Sequence, residues 1–214
     1  MQSKPIQKPA SDMWAVKSPS EPSQGHGQVG WYKLATEQVR EGDRVLDIGC
    51  SMARQHPRYY EKNPSLLVGV DVSKRALEAA TILGPNHKLY HVDEFEDEEQ
   101  FDVVTAMDVI EHVEEDIDFL ENAYRRAKRF FMLATPNGKY SSIGRFHCRE
   151  YSPVELYDLM RKVCTKGRIE IMGWSGDDML ADRRDGLRIE HTYEGVRKLG
   201  NIQLLASRVF IEEE

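Results

Sequence analysis

The chain of 214 residues is poor in cysteine and has no long apolar run. Its three cysteines are odd in number and widely spaced, so they predict neither a disulfide framework nor a metal-binding knuckle. This usage is typical of a reducing compartment. No stretch of 18 apolar residues occurs, and no apolar signal core lies near the N-terminus. We therefore expect a soluble cytoplasmic protein without a membrane partner.

An excess of positive charge is also missing, because 29 Lys and Arg residues stand against 36 Asp and Glu residues, a net charge of −7. Affinity for DNA or RNA depends largely on Lys and Arg at the phosphates, so this balance disfavours a nonspecific nucleic-acid binder. The length suits one core-forming domain. We expect a flexible tail or flap at residues 1–24, which holds four of the nine prolines. A single domain should follow at 25–214, with a charged insert at about 175–200.

Two short apolar runs, at residues 44–49 and 66–71, have the composition of strands buried on both faces. A helix-length segment separates them, which predicts a βαβ unit with a ligand crevice at the strand ends. Gly49 allows a sharp turn and a close approach of backbone to ligand. Asp71, 22 residues later, stands where a carboxylate accepts hydrogen bonds from both ribose hydroxyls. The pattern therefore predicts a nucleoside-cofactor site, against the alternative of an ordinary buried strand and turn.

The residues after the first strand favour S-adenosylmethionine over a dinucleotide. A pyrophosphate needs a glycine-rich loop at a helix N-terminus, normally G-x-G-x-x-G, but the run here is G-C-S-M-A-R, in which Ser51 replaces the second glycine and the third is absent. Asp47 would repel a pyrophosphate and could pair with a cationic amino group. These features argue against a nicotinamide-dependent dehydrogenase. The segment resembles motif I of the class I S-adenosylmethionine-dependent methyltransferases, D-x-G-C-G-x-G, and departs from it at Ser51 and Ala53.

Strands alternating with helices predict a parallel sheet covered on both faces. Together with the resemblance, this implies a doubly wound α/β fold with a seven-stranded, mostly parallel sheet and an antiparallel last strand. The predicted strands are 44–49, 66–71, 88–92, 101–107, 129–134, 168–174 and 203–211. Helices are predicted near 52–62, 74–83 and 114–128, and from Ser152-Pro153 onward.

The resemblance implies a cofactor cradle that extends over several strand ends. Asp71 would hold the ribose, and the glycine turn the methionine end. Asp93, with Glu94 as the alternative, would accept from the adenine amino group. The full set of expected cofactor-binding residues is Asp47, Gly49, Cys50, Ser51, Asp71, Val72, Asp93, Glu94, Met107 and Asp108.

Three further motifs indicate the substrate class: D-V-I-E-H-V at 108–113, A-T-P-N at 134–137, and H-C-R-E-Y-S-P-V-E-L at 147–156. They resemble the ubiquinone-biosynthesis O-methyltransferases and relatives that act on sugars and natural products. The N-P-P-Y or D-P-P-Y loop of many enzymes that methylate bases or glutamine is absent after the fourth strand, which argues against nucleobase methylation. The resemblance, over residues 30–165, implies methylation of a small-molecule hydroxyl.

Two histidines are candidates for the catalytic base, His112 and His147. A histidine has a near-neutral pKa, which suits deprotonation of a hydroxyl. His112 has two alternative interpretations. It could be structural, bonded to a strand carbonyl, or it could bind a divalent cation with Asp108 and Glu111, as in some ubiquinone-pathway relatives. We predict no metal.

The segment from Gly138 to Arg149 contains basic residues and no acidic residue. Lys139, Arg145 and Arg149 therefore predict a pocket for an anionic acceptor, such as a phosphate or carboxylate. The alternative is a solvated loop whose arginine holds the adjacent helix. Two other functions stay open at this point: a protein or RNA methyltransferase that docks its substrate on the insert, and a catalytically idle regulatory domain that binds the cofactor. The substitutions in motif I favour the second of these.

Overall fold

The computed structural model describes residues 28–95, 100–139, 147–176, 179 and 184–211. The predicted N-terminal tail at 1–24 and Arg145 lie outside these ranges, as does part of the predicted insert.

Eight strands form one sheet, in the order β3-β2-β1-β4-β5-β8-β6-β7. Strands β1 to β5 run parallel to one another, whereas β8 runs antiparallel to both β5 and β6. The predicted α/β class and the antiparallel last strand are confirmed. The sheet has one strand more than predicted, because three residues of the insert pair with β6 as the edge strand β7. The strands are β1 Arg44–Ile48, β2 Leu66–Asp71, β3 His87–His91, β4 Phe101–Met107, β5 Ala127–Pro136, β6 Arg168–Trp174, β7 Arg188–Glu190 and β8 Leu204–Phe210.

Within the described ranges, six named α-helices connect or flank these strands: α1 Gln28–Thr36, α2 His56–Tyr60, α3 Lys74–Glu78, α4 Asp116–Arg125, α5 Pro153–Val163 and α6 Tyr193–Arg197. The predicted helix at 52–62 is wrong in its first turn, since α2 begins only at His56. The helix starts later because Ala53 has a φ of +53°, which is incompatible with a right-handed helix. The predicted helices at 74–83 and 114–128 are likewise shorter in the structure.

Helix α5 begins where the sequence predicts it. The Ser152 side chain accepts from the Glu155 N–H, and the Glu155 side chain accepts from the Ser152 N–H, which completes a capping box. Pro153 lies in the first turn, where its missing N–H has no intrahelical partner in any case. Local chemistry alone therefore fixes this boundary.

The sheet separates two apolar layers, because successive side chains of a strand point to opposite faces. Val45 of β1 belongs to the layer that contains α1 and α2, and Leu46 to the layer that contains α4 and α5. In the first layer Trp31 of α1 packs edge-on against Trp174 of β6, with ring centroids 5.7 Å apart. Helices thus lie on both faces, and the parallel strands β1, β2 and β4 end at the same edge of the sheet. None of the helices in the described ranges is long and apolar enough to cross a bilayer.

Gly69, in the middle of β2, lies where the α2 side of the sheet is tightly packed, and replacing it tests that packing. A Cβ added to Gly69 would lie 2.6 Å from the Cε1 atom of His56 and 2.7 Å from the Cys50 Sγ. Overpacking of this kind costs about 1–3 kcal/mol, so Gly69→Ala should lower the free energy of unfolding by that amount. Gly200→Ala is the matched control, because nothing lies within 4 Å of its added Cβ. Equal unfolding midpoints for the two variants in denaturant would contradict this packing.

Candidate functional site

The loop at residues 49–55, here called the β1 loop, lies at the carboxyl end of β1. Gly49, Ser51 and Ala53 all have left-handed backbones, with φ of +75°, +50° and +53°. The left-handed region costs an L-residue roughly 1–2 kcal/mol relative to glycine. Ser51 and Ala53 therefore have left-handed φ angles at the two positions where motif I has glycine. Unlike glycine, they adopt this conformation at a steric cost.

Gly49 also meets a steric requirement. A Cβ on it would lie 2.3 Å from the Cγ2 atom of Val109, just beyond the end of β4. Its N–H donates to the Val70 carbonyl over 2.7 Å, which ties the loop to β2. Asp108, next to Val109, also has a left-handed φ of +53°. The ends of β1 and β4 can therefore approach each other only with glycine at position 49.

Asp71, the last residue of β2, faces the β1 loop. One carboxylate oxygen accepts from the Ser51 N–H at 2.7 Å, and the other accepts from the Ser73 N–H at 2.8 Å. Burial raises the pKa of Asp71, although these two backbone hydrogen bonds act in the opposite direction. Each carboxylate oxygen has two lone pairs, so each can accept a second hydrogen bond. Asp71 is thus fixed in orientation and can still bind a pair of hydroxyl donors. Val72 follows it, with its carbonyl bonded to His91.

The other predicted cofactor residues lie at different depths. Asp93 and Glu94 are exposed beyond β3, where Asp93 is 3.5 Å from the Nδ1 atom of His91 and Glu94 is 3.9 Å from the Nζ of Lys74. Met107 is buried at the end of β4.

Asp47 at the end of β1 and Cys50 within the β1 loop are both buried. Asp47 is fully buried, and its carboxylate accepts from Thr105 at 2.7 Å, from Tyr32 at 2.9 Å and from His56 at 3.0 Å. Burial, then the charge of Asp47, raises the pKa of the Cys50 thiol well above its usual value. The sequence singles out Asp47 but not His56, because the histidine has no ligand spacing or motif around it.

A second cluster, formed by Glu111, His112 and His147, follows the end of β4. His112 and His147 meet edge to face, with ring centroids 4.8 Å apart. Glu111 is buried beside them, and its Oε1 lies 3.8 Å from the Nε2 atom of His112. Burial, then the charge of Asp108, raises the pKa of Glu111 well above its usual value. The two predicted base candidates, 35 residues apart in sequence, are thus brought together by the fold.

The same cluster has the composition of a cation site. One ligand atom from each of Glu111, His112 and His147 lies within 4.8 Å of the others. Two imidazoles and a carboxylate suit a divalent transition metal. The set differs from the alternative weighed from sequence, because His147 stands in the place of Asp108 beside Glu111 and His112. Backbone hydrogen bonds hold the two segments together, since the Cys148 and Arg149 N–H groups donate to the Glu111 carbonyl.

The predicted acceptor residues have partners within the chain. Arg149, which is about half exposed, forms an ion pair with Asp116, and the Tyr151 hydroxyl donates to the same carboxylate at 2.9 Å. Asp116 starts α4, so this contact matches the alternative in which the arginine holds the adjacent helix. Lys139 donates from its Nζ to the Asn201 side chain at 2.6 Å. The role of these residues in acceptor binding stays a prediction.

Comparison with known proteins agrees with this geometry. Residues 46–130 match the family model described as a methyltransferase domain. The ubiquinone biosynthesis O-methyltransferase of Rhodopseudomonas palustris (strain TIE-1) is 32% identical over 110 residues, which are 48% of this chain and 43% of that protein. The chain thus matches less than half the length of this curated relative.

Solved structures extend the likeness across the fold. A chain from the complex between the Haloferax volcanii Trm112 methyltransferase activator and a methyltransferase has a TM-score of 0.62 at 17% identity, covering 89% of this chain and 93% of that one. An S-adenosylmethionine-dependent methyltransferase from Mesorhizobium loti has a TM-score of 0.61 at 15% identity, covering 87% and 100%. At these identities the likeness shows the fold. Residues 46–130 thus match a methyltransferase domain, and the described residues have the fold of S-adenosylmethionine-dependent methyltransferases.

Proposed function

We propose that the chain binds S-adenosylmethionine at the carboxyl ends of β1 and β2 and transfers its methyl group to a hydroxyl oxygen of a small, anionic acceptor. The observation that carries the proposal is Asp71, a carboxylate oriented by two backbone N–H groups beside a loop with the backbone of motif I. The identity of the curated relative as an O-methyltransferase supports the oxygen acceptor.

The residues present fit this cofactor better than a dinucleotide. Asp71 offers acceptors, which suit the two ribose hydroxyls, and Gly49 lets the loop backbone approach the methionine end. A pyrophosphate would need free N–H groups at a helix start. Here α2 has five residues and a proline in its first turn, so it lacks such a site.

The bound cofactor would supply the methyl group together with its own leaving group, so the main task of the protein is alignment. The acceptor hydroxyl must lose a proton, and we assign His112 as the base that takes it, because an imidazole has a near-neutral pKa. The buried Glu111 lies close to this ring. Because a lone buried negative charge is unfavourable, a proton gained by His112 would offset the charge of Glu111. His147 packs against the same ring and keeps its orientation.

The first prediction concerns the ribose. Asp71→Asn removes the charge and one acceptor oxygen, so affinity for S-adenosylmethionine should fall by about 1.5–3 kcal/mol, as for hydrogen bonds to a charged group. Asp158→Asn, which removes an exposed charge on α5, is the control and should leave affinity unchanged. Isothermal titration calorimetry measures both. Unchanged affinity in Asp71→Asn would mean that the ribose is held elsewhere.

The second prediction separates a base from a structural histidine or a metal ligand. His112→Gln should lower turnover by roughly 10² while cofactor affinity and the melting temperature persist. His191→Gln, at an exposed position, is the control. Production of S-adenosylhomocysteine over a panel of hydroxylated small molecules is the readout.

Other outcomes of that experiment would support the alternative roles of His112 or of the chain. Lost thermal stability with normal turnover per folded molecule would make His112 structural. Loss of wild-type activity with a chelator, restored by added Mg²⁺ or Zn²⁺, would assign Glu111, His112 and His147 to a cation. Cofactor binding without turnover on any acceptor would favour the idle regulatory domain.

The third prediction concerns acceptor charge. Lys139→Gln combined with Arg145→Gln should raise the KM for an anionic acceptor by about tenfold or more, because charge-assisted hydrogen bonds are lost. The KM for the cofactor should change little. Added salt should act in the same direction, since screening limits exposed charges to about 8 Å. Lys62→Gln with Lys162→Gln makes the same charge change at exposed sites. Equal KM values for the two double variants would refute the anionic pocket.

A further inference from the structure

Three side chains beneath the β1 loop form a hydrogen-bonded series that the proposed reaction does not use. His56 bonds to the Asp47 carboxylate through its Nε2 atom, at 3.0 Å, and to the Nε2 atom of His87 through its Nδ1 atom, at 2.8 Å. Asp47 and His56 are fully buried, and His87 is 3% exposed. We call Asp47, His56 and His87 the histidine relay.

Only one arrangement of protons satisfies these contacts. The Leu83 backbone N–H donates to the Nδ1 atom of His87 at 3.1 Å, so that nitrogen carries no proton. The Nε2–H group of His87 must then donate to the Nδ1 atom of His56. It follows that His56 is protonated at Nε2 and donates to Asp47. Both rings are neutral, and every donor points toward the carboxylate.

The relay joins the two ends of the β1 loop. Asp47 lies in β1 immediately before the loop, and His56 is the first residue of α2 immediately after it. Between them, the Gly49 and Cys50 N–H groups bond to the Val70 carbonyl at 2.7 and 3.2 Å. The Ser51 N–H bonds to Asp71, and the Ala53 N–H bonds to the Cys50 carbonyl at 2.8 Å. Ser51 and Ala53 nevertheless hold left-handed conformations that they do not favour.

We propose that His56 and His87 are positioning residues of the cofactor site, which hold the ends of the β1 loop so that Ser51 and Ala53 keep the backbone that glycine would adopt at no steric cost. This inference rests on the proposed function. His87 bonds to the His56 ring and to the Leu83 N–H, and it acts on the loop through His56. A loop released from this restraint spends part of its time in other conformations, and its affinity for the cofactor falls by the competent fraction.

The rings of His56 and His87 are closely packed by neighbouring groups. A Cβ on Gly69 would meet the His56 ring at 2.6 Å, so this ring packs directly on the backbone of β2. The titratable groups that face His56 are Asp47, His87 and the Tyr59 ring. Those that face His87 are His56 and the Tyr60 ring. Burial, then His56, lowers the pKa of His87 to about 4, in agreement with a neutral ring.

The test compares His87→Leu, which removes both hydrogen bonds, with His87→Gln, whose amide can accept from Leu83 and donate to His56. Titration with S-adenosylhomocysteine should show at least tenfold weaker binding for His87→Leu and a change of less than threefold for His87→Gln. Hydrogen exchange gives a readout without ligand: the Ser51 and Ala53 amides should exchange at least tenfold faster in His87→Leu only.

A glycine background separates positioning from general destabilisation. Glycines at 51 and 53 adopt the left-handed region freely, so Ser51→Gly with Ala53→Gly should reduce the effect of His87→Leu on affinity to less than threefold. A loss of the same size in both backgrounds would overturn the proposal, as would wild-type affinity in His87→Leu. If the wild-type chain fails to bind S-adenosylhomocysteine while the amide exchange responds as expected, the proposed function fails and the loop restraint stands.

The relay also predicts a pH dependence. The folded-state pKa of His87 lies below its unfolded value of about 6.5, so the folded chain binds the proton less well. The contribution to stability is therefore complete above pH 6.5 and is lost as the pH falls toward 4. Thermal unfolding at pH 7.5 and 5.0 should show a smaller loss in His87→Gln than in the wild-type chain. Equal losses would overturn the neutral relay.

Discussion

A carboxylate that is fully removed from water must be supplied with hydrogen-bond donors, and the arrangement around Asp47 follows from that need. Its donors come from different elements: Tyr32 from α1, Thr105 from β4 and His56 from α2. One side chain in β1 therefore fixes a helix before it, a helix after it and the neighbouring strand. The cost of leaving this charge unpaired exceeds that of any single apolar contact nearby, so these elements hold one relative position.

The left-handed backbone of the β1 loop depends on this fixed frame. Strained conformations persist only where the surrounding structure over-determines them. In the β1 loop one restraint is the hydrogen bond from His56, at the end of the loop, to Asp47 in β1. The other is Asp71 of β2, whose carboxylate accepts from the Ser51 N–H. Sequences with glycine at these positions need less restraint. On this proposal, the buried histidines supply the restraint that Ser51 and Ala53 need at the glycine positions of motif I.

Much of this could be predicted from the sequence, where local chemistry decides the outcome. The apolar runs predict the strands, the Ser152-Pro153 pair predicts the start of α5, and the spacing from Gly49 to Asp71 places both at one edge of the sheet. The length of α2 could not be predicted, because it depends on the φ angle of Ala53. The relay could not be predicted either, since His56 and His87 meet only through the sheet and no local pattern marks them. Similarly, pairing of Arg149 with Asp116 requires knowing which helix start lies beside it.

The two halves of the site differ in what determines them. On the side of β1 and β2, the left-handed backbone of the β1 loop and the oriented carboxylate of Asp71 match the steric and hydrogen-bond needs of a nucleoside cofactor. On the acceptor side, Glu111, His112 and His147 form a cluster that suits either proton transfer or a cation. Burial and the charge of Asp108 raise the pKa of Glu111 and so favour its uncharged form, whereas a protonated His112 or a bound cation beside it would favour the ionised carboxylate. The protonation of Glu111 is therefore linked to whether a proton on His112 or a cation lies next to it.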